Sequence, residues 1–188
     1  MGLVDLFYSV TTGPARRRKL MTPIGLLVFT SILLLLVFGS LYMDGALSLP
    51  RLLPGVPGSA IGGVLLVAGI ALWGWCVVWF MRARGTPVPF NPPRELVTVG
   101  PYAWSRNPML TGVFACLFGL GFFLHSVSMV VVWTPVFVLL NVIELKMVEE
   151  PELERRFGTS YREYKSCVPM FVPRVSGVIR NIGASSNR

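Results

Sequence analysis

Two polar stretches carry most of the side chains able to do chemistry. The first runs from Gly85 to Pro108 and closes on Gly100-Pro101-Tyr102-Ala103-Trp104-Ser105-Arg106-Asn107-Pro108-Met109. The second is Glu144 to Tyr164, with the adjacent acids Glu149 and Glu150 just ahead of Pro151. Asn107 is a natural N-cap, and Pro108 suits the first turn of a helix. A helix start presents unpaired backbone N–H groups and a partial positive charge, to which Arg106 adds a full one. Together they can receive a ligand carboxylate. The same residues equally suit plain capping of a membrane helix, with Arg106 anchored among headgroups. Glu149 and Glu150 read either as ligand-binding acids or as a solvated helix end, and acids before Pro151 also fit the start of a new helix.

Other chemistries lack their parts. His125 is the single histidine, and Cys76, Cys116 and Cys167 stand apart, so no cluster has metal-ligand spacing and no metal is expected. Cys76 and Cys116 read as small apolar fillers. Nucleophile-elbow, P-loop and dinucleotide glycine motifs are absent from the sequence.

The elements that must position these residues are membrane segments. Of 188 residues, 53% are hydrophobic and 14% charged, where a soluble domain carries about 25% charged residues. Uncharged runs of 24, 30 and 37 residues lie between Lys19 and Asp44, Arg51 and Arg82, and Arg106 and Glu144. A spanning helix needs about 20 apolar residues, so the first two runs predict spans near 21–43 and 59–81. The third is broken at His125-Ser126-Val127-Ser128 and predicts a helical hairpin, 109–124 and 128–146, with a short first arm. The fold class is therefore an all-α integral membrane protein with about four membrane segments. Residues 1–81 form the N-terminal segment and first two spans; 82–188 form the loop, hairpin and C-terminal helix of the same structural domain.

Five prolines within 85–101 forbid a continuous helix and predict an extended loop. Its Leu96, Val97 and Val99 can lie against the membrane surface or a ligand. Beyond the last span, Leu153, Phe157, Tyr161 and Tyr164 recur at helical spacing on a charged background. They predict a C-terminal amphipathic helix that lies at an interface or caps the bundle.

Charge sets the expected topology. Residues 1–20 hold four Lys and Arg, 82–107 hold four and 144–188 hold eight, leaving only Arg51 elsewhere. Four spans put 16 of the 17 on one side, which the positive-inside tendency makes cytoplasmic, both termini included. The net charge of +8 is then a topology signal with some affinity for anionic lipid. Nucleic acid is not an expected partner, since no reader motif accompanies the charge. The N-terminus lacks the short apolar core and cleavage pattern of a signal peptide, and Leu6 stands where a myristoylation site needs Ser or Thr.

The pairing of the two polar blocks across one hydrophobic hairpin, Gly100 to Met109 and then Glu149-Glu150-Pro…Phe157-Gly158…Tyr161…Tyr164…Val168-Pro169, resembles the isoprenylcysteine carboxyl methyltransferase and phospholipid methyltransferase family. The resemblance covers about residues 82–175. It implies a cytoplasmic-side pocket for S-adenosylmethionine. Family positions lining that pocket fall on Arg94, Glu95, Leu96, Val97 and Tyr102. Its Arg-His-Pro-x-Tyr block falls on Arg106, Asn107, Pro108, Met109 and Leu110, and its glutamate falls on Glu149 with Glu150 beside it. Asn107 and Leu110 replace the family histidine and tyrosine, and Leu145 stands where prenylcysteine enzymes have an arginine assigned to acceptor binding.

The residue types suit that cofactor. Glu149 or Glu150 can hold its ammonium or ribose hydroxyls, backbone N–H groups near Asn107 its carboxylate, and Tyr102 or Trp104 its adenine or sulfonium. Asn107 cannot titrate, so its part in catalysis is positional, and a proton would leave to Glu150 or water. The implied function is membrane methyl transfer to a lipid-like acceptor: a prenylcysteine carboxylate, a phospholipid amine or a hydrophobic thiol. Alternatives are a sterol-reductase-like membrane oxidoreductase using a nicotinamide cofactor, and a non-catalytic membrane binding or assembly protein.

The topology is directly testable. In a cysteine-free background, Ser9→Cys, Thr98→Cys and Ser176→Cys resist an impermeant thiol reagent in intact cells, while Ser48→Cys reacts. Outside labelling at position 98 contradicts the arrangement.

Overall fold

The structure, a computed structural model, describes residues 15–82 and 96–171 together with Asp5 and Tyr8; side chains of the helical residues 15–22 are not described. It is all-α. Helix α1 spans Ala15–Ala46 and α2 spans Val56–Arg82. A short 3₁₀ turn at Gly100–Ala103 precedes α3, Pro108–Phe123. Helix α4, Met129–Phe157, is followed by α5, Thr159–Cys167. Three helices are long and apolar enough to cross a membrane: Pro23–Ala46 of α1, α2, and α4. The 16 residues of α3 reach about 24 Å, less than the roughly 30 Å of a hydrocarbon core. The short first arm of the hairpin is thus a feature of the fold. Leu26, Leu27, Leu34, Leu35 and Phe38 of α1 are exposed, as a lipid-facing surface requires.

The last helix differs from the expectation. It does not end near residue 146, and no new helix starts at Pro151; the chain stays helical through Glu149, Glu150 and Pro151 to Phe157. Two π-helical stretches, Met129–Trp133 and Leu145–Glu149, explain how. Each closes with an i→i−5 bond, Thr134 N–H to the Met129 carbonyl and Glu150 N–H to the Leu145 carbonyl. Each is followed at once by a proline, Pro135 or Pro151. A proline inside an α-helix clashes with the carbonyl four residues back and leaves it unpaired; the wider π turn opens the place where that clash would fall.

The amphipathic stretch after the span is also two helices rather than one. Gly158, at φ +58°, turns the chain between α4 and α5, a conformation that side chains with a Cβ rarely adopt. The aromatic face survives the turn: Leu153, Phe157, Tyr161, Tyr164 and Val168 pack in one cluster that also takes in Leu96.

Small residues set the closest helix contact. Gly62 and Gly69 of α2 are buried against α3, and Gly58 against Leu53 and His125. A Cβ on Gly69 would lie 2.6 Å from the Gly112 carbonyl, and one on Gly62 would lie 2.7 Å from the Gly119 carbonyl. Backbones approaching this closely are the usual way for helices to associate in lipid, where apolar side chains gain little by meeting each other. Helix α1 packs instead on the start of α4, with Gly39 under the Trp133 ring.

The polar break predicted at 125–128 is the hairpin tip, and α1 closes it. Asp44 accepts hydrogen bonds from Ser126 Oγ and from Ser128 N–H, while Ser128 Oγ donates to the Ser40 carbonyl. His125, held at φ +57°, exchanges bonds with Leu52. This end of the bundle ties down the loops, and the antiparallel pairings carry residues 96–108 and 144–171 to the opposite end.

Candidate functional site

At that opposite end the two polar blocks meet through one buried ion pair. Arg106, in the turn before α3, places Nη1 2.5 Å from Glu150 Oε1, with side chains 11% and 8% exposed. The other carboxylate oxygen of Glu150 takes Lys165 Nζ at 2.7 Å, and Lys165 also reaches Glu154 at 2.9 Å. Arg106 Nη1 lies 3.5 Å from the Tyr161 hydroxyl. Both oxygens of Glu150 are thereby engaged by cations, one from the turn before α3 and one from α5. The neighbouring acids keep the Lys165 amine above its ordinary range, so it stays protonated.

A strap from the C-terminal side fixes the start of α3. Arg106 N–H donates to the Pro169 carbonyl at 2.9 Å, and Asn107 N–H to the Met170 carbonyl at 3.1 Å. Ser105 Oγ and Asn107 Nδ2 donate to that same Met170 carbonyl, while the Phe171 ring packs 5.5 Å from Phe114. Asn107 does occupy the N-cap position with Pro108 next to it, but its side chain makes no capping bond. Its amide is drawn to the strap instead. The backbone N–H groups of 106 and 107, expected to be available to a carboxylate, are consumed there too.

Three tyrosines line the junction between α2, the 3₁₀ turn and α5. Tyr102 is buried beneath Phe80, ring centroids 5.3 Å apart. Its hydroxyl bonds the Cys76 thiol of α2, and its carbonyl accepts from the Tyr164 hydroxyl at 2.7 Å. Gly100 lets the turn settle on Trp79, where a Cβ would meet the indole at 2.4 Å. Burial, then the adjacent Cys76, hold Tyr102 far above the usual phenol range; burial does the same to Tyr164 and pushes Tyr161 up to about 12. All three remain neutral phenols, donors and not bases.

Beside the ion pair stand further charges of α4. Glu152 is buried and pairs with Arg156 at 3.6 Å, whose guanidinium stacks 4.4 Å over the Phe157 ring. Glu149 is half-buried; among the described residues no hydrogen bond or ion pair holds its carboxylate, and Arg156 lies within electrostatic reach. The Nε–H groups of Arg106 and Arg156 are buried without partners among the described residues. Leu145 is 1% exposed.

Of the residues singled out in the sequence, Arg94 and Glu95 lie outside the described residues. The structure gathers Leu96, Tyr102, Arg106, Asn107, Glu149 and Glu150 at one end, with Val97 and Met109 half-buried nearby and Pro108 buried. Leu110 faces away, into the Phe114 and Phe137 core. Trp104 is exposed and lies outside the cluster, as an interfacial anchor would. Sequence reasoning missed Lys165, Arg156, the 168–171 strap and the Cys76–Tyr102 contact. Lys165, four residues after Tyr161, was legible only as one more charge on the polar face.

The phospholipid methyltransferase family model matches residues 59–160, from the glycine seam of α2 to α5. The chain belongs to that family. It is 28% identical over 102 residues to the nickel-cobalt-cadmium resistance protein NccN of Alcaligenes xylosoxydans xylosoxydans, covering 54% of this chain and 43% of the relative. The chain thus matches less than half of that protein's length. No solved structure matches. Among the described residues, no group of three or more His, Cys, Asp or Glu is placed to hold a metal ion.

Breaking one side of a buried ion pair strands the other charge, at a cost of about 3–5 kcal/mol. Glu150→Gln therefore lowers the melting temperature of the purified protein sharply, and adding Arg106→Gln recovers part of the loss. An unchanged melting temperature in Glu150→Gln contradicts a structural ion pair.

Proposed function

We propose that this chain is an integral-membrane methyltransferase that binds S-adenosylmethionine at the Arg106–Glu150 end and methylates a lipid-like acceptor carrying an amine. The observation that supports it most is Glu149. Around it Glu150 and Glu152 are paired with cations, whereas Glu149 makes no hydrogen bond or ion pair among the described residues and lies within electrostatic reach of Arg156, whose buried Nε–H is unmatched there. A half-buried carboxylate within reach of an unmatched donor fits a ligand with an ammonium and a carboxylate at one end, since neither group is well left unpaired away from water.

When bound, S-adenosylmethionine supplies a methyl group on a sulfonium, transferred by in-line displacement. The protein's part is placement. Glu149 holds the ammonium, and the neutral Tyr102, packed under Phe80, offers a face and a hydroxyl near the adenosine end. Leu96 and Val97 provide apolar lining. Glu150 positions Arg106 and Lys165 and does not act as a base, because both its oxygens are taken. Asn107 joins α3 to the strap. The acceptor therefore arrives deprotonated or gives its proton to water, in a site whose low polarity favours a reaction that disperses charge.

An amine acceptor is favoured over a carboxylate. Leu145 is buried and apolar where an arginine would meet a carboxylate, and Arg106 and Lys165 are committed to Glu150. A lipid-borne acceptor reaches the site sideways from the bilayer, and the site end faces the cytoplasm because the basic segments gather there.

Titration calorimetry with S-adenosylmethionine, followed by a labelled-methyl screen of lipid amines, carboxylates and thiols, tests this reading. The full chain binds the cofactor, and Glu149→Gln weakens binding by about 1.5–3 kcal/mol without a matching loss of melting temperature. Equal affinity in wild type and Glu149→Gln displaces Glu149 from the site; transfer to carboxylates alone contradicts the amine.

A further inference from the structure

Arg156 belongs to no motif in the sequence, yet its surroundings set it apart from the other cations at this end. Its side chain is 16% exposed. Its one ion pair, to Glu152, is 3.6 Å long, beyond hydrogen-bond distance, and its Nε–H has no partner among the described residues. A guanidinium has five N–H donors, and burying it with them unmatched is costly. Glu152 beside it and the Phe157 ring beneath it, 4.4 Å from the guanidinium carbon, hold the group in place and leave its Nε–H unused among the described residues. Of the other basic groups described at this end, Arg82, Lys146 and Arg162 are exposed, and three more are committed elsewhere. Arg106 and Lys165 hold Glu150, and Arg155 is exposed and engaged by Asp5 and the Tyr8 ring.

Arg156 also stands seven residues after Glu149, two turns along the same face of α4, and within electrostatic reach of it. The ammonium and carboxylate of an amino acid are carried on one carbon, so a site for them needs an acid and a base close together. The alternative anion site, the N–H groups at the start of α3, is reduced: those of Arg106 and Asn107 donate to Pro169 and Met170 and Pro108 has none, which leaves only Met109 and Leu110.

We propose that Arg156 is the anchor for the carboxylate of the cofactor's methionyl end, opposite Glu149 on the ammonium. This rests on the cofactor reading given above. It makes the anion-binding element a side chain of the last helix, where the sequence pointed to the start of α3.

The test compares S-adenosylmethionine with its decarboxylated analogue, which keeps the ammonium, sulfonium and adenosine. Calorimetry is run on the full chain, on Arg156→Gln, on Arg156→Lys, and on Glu152→Gln/Arg156→Gln, which removes both members of that charge pair. Wild type prefers S-adenosylmethionine by about tenfold or more. In Arg156→Gln and in the double variant the preference disappears while affinity for the analogue is retained, and Arg156→Lys keeps part of it. A preference that survives in the double variant, or an equal loss for both ligands, overturns the assignment. Failure of the wild type to bind either ligand overturns the cofactor reading itself, a distinguishable result.

Discussion

A buried ion pair between Arg106 and Glu150 is the constraint on which the functional end of this protein depends. Neither charge can be left alone away from water, so the turn before α3 and the far end of α4 must stay together. That requirement makes α4 run past its apolar stretch, carrying Glu149, Glu152 and Arg156 along with Glu150. Lys165 of α5 and the strap at 168–171 then close on the same point. Two segments 44 residues apart in sequence become one surface.

The rest of the bundle serves this junction from a distance. The glycine seam between α2 and α3 brings those helices close enough for Cys76 and Trp79 of α2 to reach Tyr102 and Gly100. At the other end Asp44 caps the start of α4 and fixes its depth against α1. With both ends of α4 pinned, the two π stretches absorb Pro135 and Pro151 without breaking it. Rigid placement of this kind suits methyl transfer, in which the protein aligns reacting atoms and needs few proton transfers.

Much of this was legible in the sequence, because charge depletion over 20 or more residues has one main physical cause. The spans and the hairpin tip at His125-Ser126-Val127-Ser128 followed from residue type and order, whereas Arg106, Glu149 and Glu150 stood between ligand binding and plain helix ends until the family resemblance singled them out. What escaped involved register and partner choice. Pro151 reads as a stop because the π turn that tolerates it leaves no trace in apolar periodicity. Gly158 was passed over because the aromatic face continues across it at helical spacing. Asn107 has the chemistry of a cap, but the Met170 carbonyl, 63 residues away, competes successfully for its amide. Arg156 looks like a solvated charge until the fold buries it.

The central claim is that one ligand contacts both polar blocks at the end of the bundle opposite Asp44. Hydrogen–deuterium exchange of the full chain in lipid nanodiscs, with and without S-adenosylmethionine, tests it directly. Joint protection of peptides covering 96–110 and 144–157, with residues 44–58 and 124–128 unchanged, is the expected result. Protection confined to the Asp44 end, or to one of the two blocks alone, would contradict a shared site.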